Sequence, residues 1–163
     1  MRHRPLILLG SLCLALIAVA AIVIYTRTGW YLVLRDADTG HRYARYAMEE
    51  GEEFSITFIH SVNKSPLTDC YQVKDKRIYV EKTIYYGFGA GVQTQLEGNE
   101  KLTYGEDGSM IVSGFDREVP DLIYFVGTVS DHTLVVRDGE PISLRALCGR
   151  SSKVRFTYEF CWV

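Results

Sequence analysis

Several motifs that identify common enzyme classes are absent from this chain of 163 residues. It has no Gly-Lys-Ser/Thr phosphate loop, no Gly-x-Ser-x-Gly nucleophile elbow and no Cys-x-x-Cys pair. Their absence argues against a P-loop nucleotide enzyme, an α/β-hydrolase, a zinc ribbon and a thioredoxin-type redox protein. Because no complete catalytic set replaces them, we expect a protein that is not an enzyme and needs no cofactor or metal.

An excess of positive charge is also absent. Lys and Arg number 18 against 20 Asp and Glu, so the formal net charge is -2 and the pI is near 6.1. A nucleic-acid-binding domain usually carries a basic surface, and no nucleic-acid partner is expected here. Internal repeats and low-complexity segments are missing too, which argues against a repeat protein or a disordered chain.

The N-terminus contains the one long uncharged run. Residues 1–4 are basic, and residues 5–25 contain no charged side chain. About 20 apolar residues span a bilayer, and a basic flank stays in the cytoplasm. We therefore predict a cytoplasmic tail at 1–4, a transmembrane signal anchor at 5–25, a linker at 26–29 and an extracytoplasmic domain at 30–163. The alternative is a signal peptide cleaved after Ala18-Val19-Ala20.

Cysteine is scarce in the predicted exported part. Cys13 lies in the uncharged run, which leaves Cys70, Cys148 and Cys161. An odd number of cysteines cannot all pair within one chain. One disulfide with one free thiol, or no disulfide, remain as alternatives.

After residue 25, no segment shows a convincing helical period of 3.6 residues. The chain has 11 Tyr and 7 Phe, and hairpin-forming Asp-Gly pairs occur at 107–108 and 138–139. Residues 154–162 alternate between apolar and mixed positions, as in a half-buried antiparallel strand. We predict an all-β fold, an antiparallel β-sandwich or barrel-like domain preceded by one N-terminal transmembrane helix, with a short helix between Pro141 and Gly149.

One predicted hairpin, at residues 53–73, contains the most unusual polar pair. Alternation places His60 and Asp69 on the apolar faces of two neighbouring strands. A four-residue loop at 63–66 would set His60 opposite Asp69, with Ser61 turned away. A buried polar pair is costly unless its members bond to each other. We expect a cross-strand hydrogen bond that orders the loop, whose Lys64 and Ser65 are then available to a partner or a small anion.

Two further groups of residues resemble parts of known binding sites. His132 is in phase with Leu134, so a His60–Asp69–His132 metal cluster is conceivable, but a satisfied core histidine is the simpler interpretation. Gly89-Ala90-Gly91 is not followed by a helix of phosphate-loop type, and glycines at a strand end more often mark a bulge or turn. The candidate binding residues are His60, Ser61, Lys64, Ser65, Asp69, Tyr71, Gly89, Gly91 and His132.

These residues also carry a family resemblance. His60-Ser61-Val62, Ser65-Pro66, Asp69, Tyr71, Gly89-Ala90-Gly91, Asp107-Gly108 and His132-x-Leu134 occur in this order. With them, the chain resembles the bacterial and archaeal family called domain of unknown function 1850, over roughly residues 30–163. The position of Asp69 is often glutamate in that family. The family has no established catalytic residues, so the resemblance supplies none.

The resemblance implies an extracytoplasmic domain behind a hydrophobic segment, often encoded beside membrane subunits of TAXI-type TRAP transporters. Those transporters take up organic acids with the help of an extracytoplasmic binding protein. We expect a single-pass cell-membrane protein that acts as a non-enzymatic accessory or binding component, with the transporter's membrane subunits or its TAXI-type binding protein as partners. The alternatives are a hydrolase or metal-dependent enzyme using His60 and Asp69, and a purely structural envelope protein.

Overall fold

The structure is a computed structural model, and it describes residues 4–62, 64–87 and 95–162. The chain divides into two compact units. One comprises Met1–Trp30 with Phe160–Val163, and the other comprises Tyr31–Glu159.

The first unit contains a single long helix, α1 (Arg4–Arg27). Its described apolar side chains are exposed, with Leu14 at 70% as an example. Trp30 and Phe160 meet edge to face in this unit, with ring centroids 5.8 Å apart. Within the described residues, no helix combines the length and the apolar character needed to cross a membrane.

The second unit is built from antiparallel strands, which confirms the all-β prediction. The strands of the first half are β1 (Thr28–Asp36), β2 (Arg42–Ala47), β3 (Glu53–Ile59), β4 (Pro66–Lys74) and β5 (Arg77–Tyr85). Those of the second half are β6 (Lys101–Tyr104), β7 (Met110–Glu118), β8 (Leu122–Phe125), β9 (His132–Val136), β10 (Ile142–Ser143) and β11 (Lys153–Trp162). The predicted short helix is confirmed as α2 (Leu144–Cys148), which Ser143 caps by accepting a hydrogen bond from the Ala146 amide.

The strands form two sheets of unequal width. Four strands form one sheet in the order β2-β1-β11-β8, and seven form the other in the order β10-β9-β3-β4-β5-β7-β6. Phe54 of β3 joins the two sheets by stacking on Phe156 of β11 at 6.1 Å, and within its own sheet it stacks on Tyr71 of β4 at 5.1 Å. Around them lies an apolar core with side chains less than 2% exposed, among them Leu32, Leu34, Ile56, Val73, Leu134, Leu144 and Val154.

All four cysteines lie in the described part of the chain, and each has a free thiol. Of the two alternatives for Cys70, Cys148 and Cys161, the structure therefore shows the one without a disulfide. Cys70 is buried on β4, and burial raises the pKa of its thiol.

The predicted register of the β3–β4 hairpin is wrong. Asp69 lies opposite Ile56, and Phe58 lies opposite Leu67. β3 ends at Ile59 and β4 begins at Pro66, so the connection holds six residues rather than four. The predicted and observed pairings differ by an even number of residues, so the same side chains face the core in both. Apolar alternation cannot distinguish registers that share this property.

Candidate functional site

A cavity of about 480 Å³ opens on the inner face of the seven-stranded sheet. Strands β3, β4, β5 and β7, with the residues that directly follow β3 and β7, supply its walls. The lining residues are Phe58, His60, Leu67, Asp69, Tyr71, Val80, Thr83, Tyr85, Val112, Phe115, Arg117 and Val119. Most of these side chains are apolar or aromatic, and a few are polar or charged. That combination is typical of small-molecule sites, whose volumes are about 300–1,000 Å³.

Strand pairing arranges the lining residues in rows across the sheet. Leu67 lies opposite Tyr85 at one end, and Asp69 lies opposite Thr83 in the middle. The third row is Tyr71, Val80 and Arg117. Neighbouring rows are two residues apart along β4, or roughly 7 Å. Asp69 therefore occupies the centre of the cavity, and Arg117 lies toward one end.

Two irregularities in the sheet create the cavity walls. On β5, Glu81 is an extra residue between the pairs Cys70–Lys82 and Tyr71–Val80. This bulge lets Val80 and Thr83, three positions apart, face the same side. On β7, residues 114–116 stand against Glu81 alone between the pairs Lys82–Ser113 and Val80–Arg117, so this strand has two extra residues. Such bulges bend a strand and redirect its side chains, and this one carries Phe115 to the cavity.

Gly114 is required in the β7 bulge for two reasons. Its φ of +83° lies in the region that L side chains rarely adopt. A Cβ atom at this position would also lie 2.7 Å from the Asn99 backbone oxygen. Only glycine fits both the conformation and the space, so the bulge and the position of Phe115 depend on it.

Asp69 is the centre of a hydrogen-bond network. The Thr83 hydroxyl donates to Asp69 Oδ1 at 2.7 Å, and the Tyr124 hydroxyl donates to Oδ2 at 2.6 Å. The Tyr71 and Tyr124 hydroxyl oxygens lie 2.7 Å apart. Hydrogen bonds of this kind offset the cost of placing a carboxylate among apolar side chains.

Both tyrosines of this network keep their protons. Burial raises the pKa of the Tyr124 hydroxyl, and the negative charge of Asp69 raises it further. The same two causes, in the same order, raise the pKa of Tyr71. The network therefore consists of neutral hydroxyl groups that donate toward one carboxylate.

Two donors complete the lining. The His60 Nδ1 atom accepts a hydrogen bond from the Val62 amide at 3.3 Å, which assigns the ring proton to Nε2. Arg117 is exposed, and its guanidinium carbon lies 5.8 Å from the centroid of the Phe115 ring. Among the described residues, no carboxylate forms an ion pair with Arg117. Its positive charge is thus available at the cavity.

The structure brings together three of the predicted site residues, but not in the predicted way. His60, Asp69 and Tyr71 all line the cavity. The predicted His60–Asp69 hydrogen bond is wrong, because the Asp69 oxygens bond to Thr83 and Tyr124 while His60 lies beyond the end of β3.

Three predicted residues lie away from the cavity, in the loop after β3. Ser61 and Lys64 are exposed, and Lys64 has a positive φ of 55°. The Ser65 hydroxyl donates to the Tyr86 carbonyl oxygen at 2.8 Å, which ties the loop to the end of β5. The loop is thus ordered by Ser65 and by the Lys64 amide, which donates to the His60 carbonyl oxygen. Asn63, Gly89 and Gly91 lie outside the described residues.

The contacts of His132 indicate a role in packing rather than in a metal site. Its ring stacks on Phe58 with centroids 5.1 Å apart, and its Nδ1 atom accepts from the Gly127 amide at 3.3 Å. It also meets Tyr124 edge to face at 5.9 Å. No group of three or more His, Cys, Asp or Glu side chains suited to a metal ion occurs within the described ranges. His132 therefore supports the aromatic wall behind the cavity.

Sequence reasoning missed the partners of Asp69 and the wall from β7. Thr83 and Tyr124 lie 14 and 55 positions from Asp69, and nothing in their local sequence indicates the contact. Phe115 and Arg117 fall in a part of β7 that was not predicted as strand. One signal was present, since a glycine such as Gly114 inside an apolar stretch often marks a bulge.

A family model matches the part of the chain that contains all of these lining residues. The model is Domain of unknown function (DUF1850), and the match covers residues 54–142, more than half of the chain. No curated protein and no solved structure matches the chain. With the fold, the cavity and this match taken together, the chain belongs to the DUF1850 family.

Proposed function

We propose that this chain is a non-enzymatic accessory domain that binds a small organic acid in the cavity of its seven-stranded sheet. The observation that carries the proposal is the composition of the cavity wall. Arg117 offers a positive charge without an ion-pair partner among the described residues, beside apolar side chains such as Phe115 and Val80. A guanidinium binds a carboxylate with two parallel hydrogen bonds, and the apolar walls suit a hydrocarbon body.

The lining favours binding over catalysis. Among the residues that the structure describes, it contains no serine or cysteine, and its one threonine hydroxyl, that of Thr83, donates to Asp69. A nucleophile requires a base that accepts its proton and a pocket for the developing oxyanion. The lining instead presents fixed polar groups on an apolar surface, the arrangement of a recognition site.

The test is isothermal titration calorimetry of the full chain in detergent with 4-methylpentanoate, a branched monocarboxylate. Saturable binding is expected, and Arg117→Gln should weaken it at least about tenfold, since the ligand's charge loses its partner. Arg150→Gln is the matched control, because Arg150 is exposed and lies outside the lining. Absence of saturable binding, or equal affinity of wild type and Arg117→Gln, would overturn the proposal.

The cellular location of this domain and its association with a transporter are proposed from the sequence. The uncharged run 5–25 behind a basic tail supports a signal anchor, with the β domain outside the cytoplasm. The family resemblance supports association with a TAXI-type TRAP transporter, whose organic-acid cargo agrees with a cavity for a carboxylate.

Both parts of this setting can be tested on native membranes. The intact chain should stay in the membrane fraction after alkaline carbonate extraction, and its C-terminus should be open to protease from outside the cytoplasm. Capture under mild detergent should recover the transporter's membrane subunits or its binding protein. A chain released by carbonate would contradict the anchor, and capture of neither partner would contradict the association.

A further inference from the structure

The hydrogen-bond network around Asp69 allows the ligand to be described more closely. We propose that the cavity selects organic acids that also carry a hydroxyl or an ammonium group, and that Asp69 and Tyr71 accept hydrogen bonds from this second group. The inference rests on the proposed function, because it concerns the same cavity.

The direction of each hydrogen bond follows from counting protons. The Tyr124 hydroxyl has one proton, and it is donated to Asp69 Oδ2, since a carboxylate can only accept. The 2.7 Å contact between the two tyrosine hydroxyls must therefore use the proton of Tyr71. The chain of donation runs from Tyr71 to Tyr124 to Asp69.

At Asp69 and Tyr71, this direction leaves only acceptors facing the cavity. Tyr71 has no further proton to donate, whereas its oxygen still has lone pairs. Asp69 accepts one bond from Thr83 and one from Tyr124, out of the roughly four that a carboxylate can accept. Both residues line the cavity. A ligand group at this position must supply hydrogen-bond donors, because a second acceptor would be repelled and a hydrocarbon would leave the acceptors unpaired.

The rows of the sheet place this acceptor group near the positive charge. Tyr71 and Arg117 belong to the same row, and Asp69 lies one row away, or roughly 7 Å along the strand. A ligand whose carboxylate binds Arg117 can therefore reach Asp69 or Tyr71 with a donor a few bonds from that carboxylate. The remaining hydrocarbon lies against Phe58, Leu67 and Val112.

Three acids with one carbon skeleton test this selectivity. They are 4-methylpentanoate, 2-hydroxy-4-methylpentanoate and leucine, which carry a hydrogen, a hydroxyl and an ammonium at the same carbon. In the wild-type full chain, the hydroxy acid, leucine or both should bind at least about tenfold more tightly than 4-methylpentanoate. Comparing the hydroxy acid with leucine also shows which donor the site prefers, since a carboxylate binds an ammonium more strongly than a hydroxyl.

Two variants test whether Asp69 and Tyr71 cause this preference for a ligand with a second donor group. Asp69→Asn keeps the shape but replaces part of the acceptor with a donor. Tyr71→Phe removes the tyrosine hydroxyl, and with it both the acceptor lone pairs and the proton donated to Tyr124. In each variant the preference for the hydroxy acid or leucine over 4-methylpentanoate should fall to less than about threefold. Thermal melting identifies a variant that does not fold. If Asp69→Asn fails to fold, Tyr71→Phe carries the test, because it leaves the Tyr124–Asp69 bond in place.

The outcomes separate this inference from the proposed function. If 4-methylpentanoate binds in an Arg117-dependent way and the three acids bind equally, only the selectivity is refuted. The selectivity is also refuted if the preference persists unchanged in the folded variants. If none of the acids binds, the proposed function fails and this inference fails with it.

Discussion

The hydroxyl oxygens of Tyr71 and Tyr124 lie 2.7 Å apart, although the residues are 53 positions apart and belong to different sheets. Their contact joins β4 to β8 beside the cavity. It is one of the few polar contacts within an otherwise aromatic layer that includes Phe54, Phe58 and Phe156. The cavity and the packing of the two sheets therefore share a common wall.

Replacement of Tyr124 by phenylalanine should destabilise the fold. The ring packing on Phe58 and Phe156 would persist, but Asp69 Oδ2 and the Tyr71 hydroxyl would lose their partner. A buried polar group without a partner costs about 1–3 kcal/mol, and we expect the free energy of unfolding in urea to fall by that amount. Tyr104→Phe is the control, since Tyr104 is 68% exposed, and it should change stability by less than about 0.5 kcal/mol. Equal stability of the two variants would contradict the role of the network.

Gly114→Ala should destabilise more than Gly40→Ala. Both glycines have positive φ angles, +83° and +75°, so both substitutions carry a conformational cost of about 1 kcal/mol. At Gly40 the added Cβ meets no atom within 4 Å, whereas at Gly114 it meets the Asn99 oxygen at 2.7 Å. Chemical denaturation measures the free energy of unfolding of both variants. The loss at Gly40 reports the backbone strain alone, and the additional loss at Gly114 reports the steric clash with Asn99. If they are equally stable, the close approach of the 99–100 backbone to β7 is not rigid.

The Phe54 ring should contribute strongly to stability. It is 2% exposed and stacked between Tyr71 and Phe156. Phe54→Ala should lower the free energy of unfolding by about 3–5 kcal/mol through lost packing and a new cavity. Phe125→Ala removes a ring that is 62% exposed and should cost less than about 1 kcal/mol. A small effect at Phe54 would mean that the two sheets are not held together by this aromatic stack.

The stability of the domain should fall as the pH drops below about 6.5. Burial lowers the pKa of His132 from its usual 6.5; Asp131 acts in the opposite direction, and Arg145 lowers it further. The fold thus favours the neutral imidazole. Above pH 6.5 the ring is neutral in both the folded and the unfolded chain. As the pH falls through that value, the unfolded chain takes up the proton first, so stability decreases until the pH passes the folded pKa.

Urea titrations at several pH values between 7.5 and 5 measure this effect. His132→Phe keeps a ring against Phe58 and Tyr124 but cannot be protonated, so stability should fall less over this range. His41→Phe changes an exposed histidine and should leave the fall unchanged. An identical pH dependence in wild type and His132→Phe would show that protonation of His132 does not cause the loss of stability.

The strands could be predicted from the sequence because alternation and turn chemistry are local. The Asp107-Gly108 turn joins β6 to β7, and residues 153–162 form the predicted final strand as β11. The register of the β3–β4 hairpin could not be predicted in the same way. β3 ends at Ile59 and β4 begins at Pro66, a position where proline is tolerated, and Asp69 then lies opposite Ile56 rather than His60.

Only part of the candidate site could be predicted from the sequence, for a similar physical reason. His60, Asp69 and Tyr71 break or extend an apolar pattern within one hairpin, so the sequence draws attention to them. Arg117 and Tyr124 reach the site through a bulge and through the packing of the second sheet, and both are long-range effects. A local pattern contains no information about which distant hydroxyl satisfies a carboxylate.

The bulge on β7 has a consequence for insertions and deletions in this strand. Residues 114–116 stand against the single residue Glu81 of β5, while the pairs on either side, Lys82–Ser113 and Val80–Arg117, keep their register. A residue gained or lost within this short segment would therefore reshape one wall of the cavity without sliding the rest of the sheet. The domain thus combines a scaffold of fixed register with one segment whose length sets the shape of the cavity wall.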